Sequence, residues 1–258
     1  MSRTARAGTS ELTRDAFLGG RLQLWQPRHG YRAGIDPVLL AATVAARAGE
    51  SVLDLGCGVG TAMLCLHARV PGLALTGVER DPVAADLARR NAEAAGARAT
   101  VVTADLTDLP MPLRAETFHH VITNPPYFDR RAGGSAADPG RDLGRGGCVP
   151  LDVWLDAAIR RVRPGGRLWL IQPVGRLDRV IATLQGRLGS VVVRPLAARV
   201  GRPPHLALVS ARHGGRSPFV LAPPLVLHAG AAHKDDRPDY TPEALAILRN
   251  GEMLPIAG

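Results

Sequence analysis

The chain has 258 residues, 46% of them hydrophobic, which suits one α/β domain with a buried core plus extensions. No apolar run approaches membrane-spanning length, and Met1 to Thr13 lacks the apolar stretch of a secretory signal, so the sequence reads as cytoplasmic and excludes a membrane protein. A net charge of +9 suits a polyanionic partner such as nucleic acid, although with Lys234 the only lysine the same arginine-rich skew also follows from a GC-rich coding sequence.

Up to about Gly19 the chain reads as flexible. Phe17 to Gln26 then alternates in Arg21-Leu22-Gln23-Leu24-Trp25, as a short strand does, and Gly30 to Ile35 is a glycine-bracketed loop. Asp36-Pro37 opens a helix as N-cap and first helical residue, leading into Val38 to Ala46. Strands and helices alternate from there: strand Ser51 to Leu55, helix Thr61 to Arg69, strand Ala74 to Glu79, helix Pro82 to Ala95, strand Ala99 to Ala104, strand His119 to Thr123. A long loop precedes a helix from Leu151 to Val162, then come strand Gly166 to Gln172, helix Leu177 to Leu188, and strands Val191 to Leu196 and His205 to Ser210. The tail from Pro218 ends in a helix started by Thr241-Pro242-Glu243 and stopped at Asn250-Gly251.

This βαβ alternation predicts an α/β fold: a Rossmann-like, doubly wound sheet of seven strands, largely parallel, with helices on both faces and right-handed crossovers. The short connection before the last strand implies that it runs antiparallel. The expected organisation is an N-terminal extension and lid over residues 1–35, a catalytic domain over 36–213, and a C-terminal tail over 214–258 packing on that domain. Cys57, Cys65 and Cys148 show neither paired nor zinc-like spacing, and the histidines form no convergent ligand set, so neither a disulfide nor a metal is expected. Arg160, Arg161 and Arg163 read as the solvated end of their helix.

Two features carry chemistry. The first is Asn124-Pro125-Pro126-Tyr127, directly after a strand. Two prolines fix their own φ and lack donors, so the strand stops in a rigid corner presenting an amide, backbone carbonyls and a ring. The same tetrapeptide also reads as a plain turn. The second is Asp54-Leu55-Gly56-Cys57-Gly58-Val59-Gly60, between a strand and a helix, where ligands bind in open α/β sheets. Thr61 stands where the dinucleotide fingerprint wants its third glycine, and the acid at the start suits an ammonium group better than a pyrophosphate. Glu79 ends the second strand, where a carboxylate accepts ribose hydroxyls, and Asp105 with Leu106 follows the third, beside where an adenine amine would lie. Each acid alone also reads as a solvated strand end; three at the ends of three consecutive strands point to a ligand.

With these motifs the chain resembles the class I S-adenosylmethionine-dependent methyltransferases over roughly Asp36 to Ser210. The resemblance implies strand order 3-2-1-4-5-7-6, S-adenosylmethionine as cofactor, and binding by Asp54, Gly56, Gly58, Gly60, Glu79, Asp105 and Leu106. Asn-Pro-Pro-Tyr marks members that methylate a planar nitrogen: adenine N6, cytosine N4 or glutamine Nδ. It implies that the Asn124 side-chain oxygen and the Pro125 carbonyl accept the two N–H groups of that nitrogen, that Pro126 stiffens the corner, and that Tyr127 stacks on a base, worth ~1–3 kcal/mol. Positioning of this kind supplies ~7 kcal/mol or more of a barrier without a strong base.

Phe17-Leu18-Gly19-Gly20, Gln26-Pro27, Gly30-Tyr31-Arg32, Ile35 to Ala41, and Tyr240-Thr241-Pro242-Glu243 with Ile247-Leu248-Arg249 are similar to the bacterial tRNA1(Val) adenine-37 N6-methyltransferase group. That likeness implies a tRNA substrate, no obligate protein partner, and substrate contacts from Tyr31 and Arg32. Arg32 also reads as an ordinary surface arginine. Phe128, Arg130 and Arg131, with Arg141 and Arg145, form either a basic lid that grips phosphates or an inserted loop. A protein glutamine methyltransferase acting on release factors, or an rRNA or DNA amino-methyltransferase, is the alternative; the former usually carries a helical domain ahead of the catalytic one.

Overall fold

The computed structural model describes residues 11–127, 149–230, 232 and 239–257. Strands β1 (Leu12–Phe17) and β2 (Leu22–Pro27) form an antiparallel hairpin. Helix α1 (Asp36–Thr43) then leads into strand β3 (Ser51–Leu55), helix α2 (Thr61–Arg69), strand β4 (Ala74–Glu79), helix α3 (Pro82–Ala94) and strand β5 (Ala99–Thr103). Helix α4 (Met111–Ala115), strand β6 (Phe118–Thr123), helix α5 (Leu151–Ile159), strand β7 (Val162–Pro173), helix α6 (Leu177–Leu184) and strands β8 (Gly189–Ala197) and β9 (Leu206–Arg212) follow. Two-residue strands β10 (Val220–Leu221) and β11 (Leu225–Val226) precede helix α7 (Pro242–Asn250).

Across the main sheet the seven long strands lie β5-β4-β3-β6-β7-β9-β8, and β10 and β11 both pair with the outer edge of β8, giving nine strands in all. Numbered among themselves, the seven therefore run 3-2-1-4-5-7-6. Only β9 is antiparallel to its neighbours β7 and β8. Side chains alternate across the pleat. Val52 and Ile122 join a core with Leu39, Leu40, Met63, Leu64, Leu66, Ala88 and Ile247, while Leu53, Leu55 and Val121 join Leu113, Leu155, Ile159, Val180 and Leu184 on the other face. Helices thus cover both faces, and the sheet's polar chemistry is pushed to the strand ends. Among the described residues no helix is long and apolar enough to cross a membrane.

Four local expectations change. Leu12–Phe17 is a strand rather than a flexible lead: it pairs in register with β2, and Leu12 packs with Val59 and Leu87. Its polar sequence hides this, because only alternate residues are buried. Asp36 is the first residue of α1 and not its cap; Ile35 stands there without a side-chain bond, and the Asp36 carboxylate is engaged elsewhere. Arg161 is buried rather than solvated, donating to the carbonyls of Leu113 and Arg114. The short helix α4 stands between β5 and β6, where the sequence reads no element.

The N-terminal turn and the tail meet. Arg21 donates to the Asn250 carbonyl, a Cβ on Gly19 would lie 2.7 Å from the Arg249 carbonyl, and the Leu254 amide donates to Ala42. These two distant segments close over α1.

Candidate active site

The carboxyl ends of β6, β3, β4 and β5 stand side by side, so Asn124, Asp54, Glu79 and Asp105 line about 14 Å of one sheet edge at ordinary strand spacing. Parallel strands bring their ends to the same edge, and that edge is where the helices open a crevice.

Asp54 is 3% exposed and accepts from the Met63 amide at 3.2 Å, near the start of α2. Burial pushes its carboxyl up to about 7; the Met63 bond opposes this and the charge of Glu79 adds to it. A cation arriving beside Asp54 would restore its ionised form. The following loop turns on Gly56, Gly58 and Gly60, all at positive φ. Gly56 is the tightest: a Cβ there would sit 2.5 Å from Cζ2 of Trp154. Trp154, on α5, donates from Nε1 to Thr123 Oγ1 at 2.8 Å, and Thr123 donates on to the Leu55 carbonyl. One indole therefore ties the glycine loop to the strand that ends at Asn124.

Glu79 holds the loop from the other side, accepting from the Gly58 amide through Oε2 and from the Asp81 amide through Oε1, both at 2.9 Å. Asp105 takes both the Thr107 amide and hydroxyl on Oδ1, and these bonds hold its carboxyl below the usual range. Leu106 beside it is buried. Tyr31 is 68% exposed as a residue, and loss of solvent around its phenol, then the charges of Asp36, Asp54 and Glu79, push it up to about 12.

Arg32 is placed differently from Tyr31. Its guanidinium donates to Asp15 Oδ2 at 2.5 Å, Thr13 Oγ1 at 2.7 Å and the Pro27 carbonyl at 2.9 Å. The structure thus engages it with the β1–β2 hairpin, where it acts as a strut for the loop that carries Tyr31. Phe128, Arg130, Arg131 and the rest of the arginine-rich loop, with Cys148, lie outside the described residues.

At the corner itself, Asn124 Oδ1 is buried with no hydrogen-bond partner. A buried acceptor without a partner costs about 1–3 kcal/mol, and such a group invites a donor from a ligand. The Pro125 carbonyl already accepts from Gln172 Nε2 at 2.9 Å, leaving it one further lone pair, and the Pro126 carbonyl accepts from Arg176 at 3.1 Å. The Tyr127 hydroxyl donates to Asp36 Oδ2 at 2.8 Å, and burial, then Asp36, push its phenol well above the usual range.

Three contributors went unread in the sequence: Trp154, Gln172 and Asn91. Asn91 is fully buried on α3; its Oδ1 accepts from the Trp25 amide and its Nδ2 donates to the carbonyls of Trp25 and Val59. An amide on the apolar face of a helix, among buried Ala85, Leu87, Ala88 and Ala92, is the signal that marks it. The strand neighbours that make Gln172 and Trp154 matter are not visible along the chain. Among the described residues no group of three or more His, Cys, Asp or Glu is arranged to hold a metal ion.

The donor set fits an ammonium-bearing nucleoside: a buried acid for the cation, an acid at the second strand end for vicinal hydroxyls, a third acid beside Leu106 for an amine, and glycines without side chains between them.

A family model described as methyltransferase small domain matches residues 33–138. A tRNA1(Val) (adenine(37)-N6)-methyltransferase of Porphyromonas gingivalis is 33% identical over 172 residues, 63% of this chain and 67% of that protein. A protein of the same name from Musicola paradisiaca is 28% identical over 254 residues, 96% of this chain and 98% of its own. A release factor glutamine methyltransferase of Geobacter sulfurreducens is 33% identical over 164 residues, 60% of this chain and 55% of that protein. Among solved structures, one described as a predicted O-methyltransferase from Agrobacterium tumefaciens superposes with a TM-score of 0.68 at 28% identity, over 85% of this chain and 98% of its own.

Proposed function

We propose an acceptor and a set of residue roles for this chain from one premise: it belongs to the family of S-adenosylmethionine-dependent methyltransferases that holds the tRNA1(Val) (adenine(37)-N6)-methyltransferases. The reaction is methyl transfer to the exocyclic N6 amine of an adenine in tRNA. The observation that carries it is the partnerless, buried Oδ1 of Asn124 beside the Pro125 carbonyl.

Bound S-adenosylmethionine supplies an electrophilic methyl group on a sulfonium. The proton that N6 gives up passes to solvent, and everything else is positioning. The N6 lone pair of adenine is delocalised into the ring, so the amine is a weak nucleophile. Asn124 Oδ1 accepts one of its N–H bonds and the free lone pair of Pro125 the other, which fixes the nitrogen and favours its rehybridisation. Gln172, donating to the same carbonyl, keeps that carbonyl aimed. Asp54 holds the cofactor's ammonium, Glu79 its ribose hydroxyls, and Asp105 with Leu106 its adenine, while Gly56, Gly58 and Gly60 let the backbone approach. Tyr127 presents its ring to the acceptor base, its hydroxyl end anchored on Asp36, and Tyr31 closes the crevice mouth.

The net charge of +9 and the near full-length match to the Musicola protein support an RNA acceptor. Glutamine Nδ is the second reading, favoured by the match to the release factor enzyme, because an amide nitrogen poses the same lone-pair problem. Nucleoside mass spectrometry after incubating the protein with cofactor and unmodified tRNA, with release factor in parallel, separates them. N6-methyladenosine is the expected product. Methylglutamine with unmodified tRNA overturns the assignment.

A further inference from the structure

At the other end of the sheet, where β3, β6 and β7 begin, a cavity of about 340 Å³ opens between the strand starts. It lies one length of β6 from Asn124, about 16 Å for five residues. Four arginines line it, Arg47, Arg163, Arg167 and Arg212, against one acidic residue, Glu50.

That carboxylate is already engaged. Glu50 Oε2 accepts from the Arg47 amide at 2.8 Å and from His120 Nε2 at 2.9 Å. His120 Nδ1 in turn accepts from Trp169 Nε1 at 3.1 Å, so the ring carries its proton toward Glu50, and burial lowers its pKa. Among the described residues no carboxylate forms an ion pair with Arg163, Arg167 or Arg212. Arg167 donates to Ser210 and lies 5.8 Å from the centre of the Trp169 ring. Burial and then the charge of Arg212 depress it.

His119 stands at the same opening. Its Nδ1 faces the Ser51 amide at 3.1 Å and the Ser51 hydroxyl at 2.9 Å, and its Nε2 lies 2.5 Å from Arg163 Nη1. Like charges around one opening are eased by an acceptor-rich anion between them.

We propose that this cavity is an anion site that takes a phosphate group, with Arg163, Arg167 and Arg212 as its donors. The group is a free phosphate or a backbone phosphate of RNA, and the site does not depend on which acceptor is methylated.

Calorimetry of the full chain with inorganic phosphate tests the chemistry, and anisotropy with labelled unmodified tRNA over roughly 50 to 200 mM salt tests the source. Arg163→Ala with Arg212→Ala is the first variant, since both side chains are exposed. Arg167→Gln, which keeps much of the stem, is the second. Each is expected to weaken phosphate binding about tenfold and to leave S-adenosylmethionine binding unchanged. A fall of about 2 in the tRNA salt slope of the double variant identifies an RNA phosphate. Weaker phosphate binding with an unchanged slope identifies a free one. No phosphate binding by the parent chain together with equal salt slopes overturns the site.

Discussion

The hydroxyl of Tyr127 donates a 2.8 Å hydrogen bond to Asp36 Oδ2, joining the strand-end corner to the first residue of α1 across 91 residues of chain. The bond sets which way the corner faces. Two prolines make Asn124 to Tyr127 stiff, but stiffness does not choose a direction; the anchor on α1 does.

Tyr127→Phe keeps the ring and removes the anchor. A hydrogen bond to a charged group is worth about 1.5–3 kcal/mol. Methyl transfer is expected to fall about tenfold in kcat, while calorimetry finds S-adenosylmethionine binding within about twofold of the parent. An unchanged kcat places the orienting role elsewhere.

Asn124→Ala removes the partnerless acceptor itself. Groups that act mainly in the transition state cost about 10²–10³ in kcat when removed, and that is the expected loss here, with folding intact. The buried acceptor is unsatisfied in the folded chain, so thermal stability should hold or rise slightly. A drop of several degrees in Tm contradicts this account of the residue.

Asp54 is expected to make cofactor binding pH-dependent. Its carboxyl stands at about 7 in the folded chain against an ordinary 3.8. The folded state therefore holds this proton more tightly than the unfolded one. The contribution to stability is full below the ordinary value and is lost as pH rises through 7. An ammonium ligand needs the ionised form, so affinity for S-adenosylmethionine should fall up to about tenfold per unit as pH drops below 7. Asp54→Asn is expected to bind the cofactor poorly at every pH and to lose this dependence, which calorimetry across the range reads directly.

Gly56→Ala should fail twice over: φ is +78 and the new methyl meets the Trp154 ring. Strain and overpacking together cost about 2–4 kcal/mol, or several degrees in Tm. In a Trp154→Ala background the contact is gone and only the backbone term remains, about 1–2 kcal/mol. Equal costs in both backgrounds rule out the ring contact.

Asn91→Leu matches the apolar face of α3 but strands the Trp25 amide and the carbonyls of Trp25 and Val59. Urea denaturation should show a loss of about 2–4 kcal/mol. The β1–β2 hairpin is expected to lose amide-exchange protection before the sheet does.

How much of this was legible in the chain follows the range of the forces involved. Strand and helix alternation and the acids at strand ends depend on neighbours two to four residues apart, and a linear reading reaches them, as it reaches the antiparallel seventh strand through the short connection before it. The glycines announce a backbone that needs positive φ, and Pro125-Pro126 announces a strand that must stop. The amphipathic β1 escaped because half of its side chains face solvent, leaving a polar string.

From the sequence alone come the alternation that builds the sheet, the crevice and the acids at its strand ends, since each is dictated by local backbone geometry and by where parallel strands end. Tertiary structure decided the rest. It set Tyr127 on Asp36, Gln172 on the Pro125 carbonyl, Trp154 over Gly56 and Arg32 on Asp15. It also gathered His119, Arg163, Arg167 and Arg212 at the far end of the same strands. Side chains tens of residues apart meet only once layers have packed, and the direction each takes is settled by what surrounds it there.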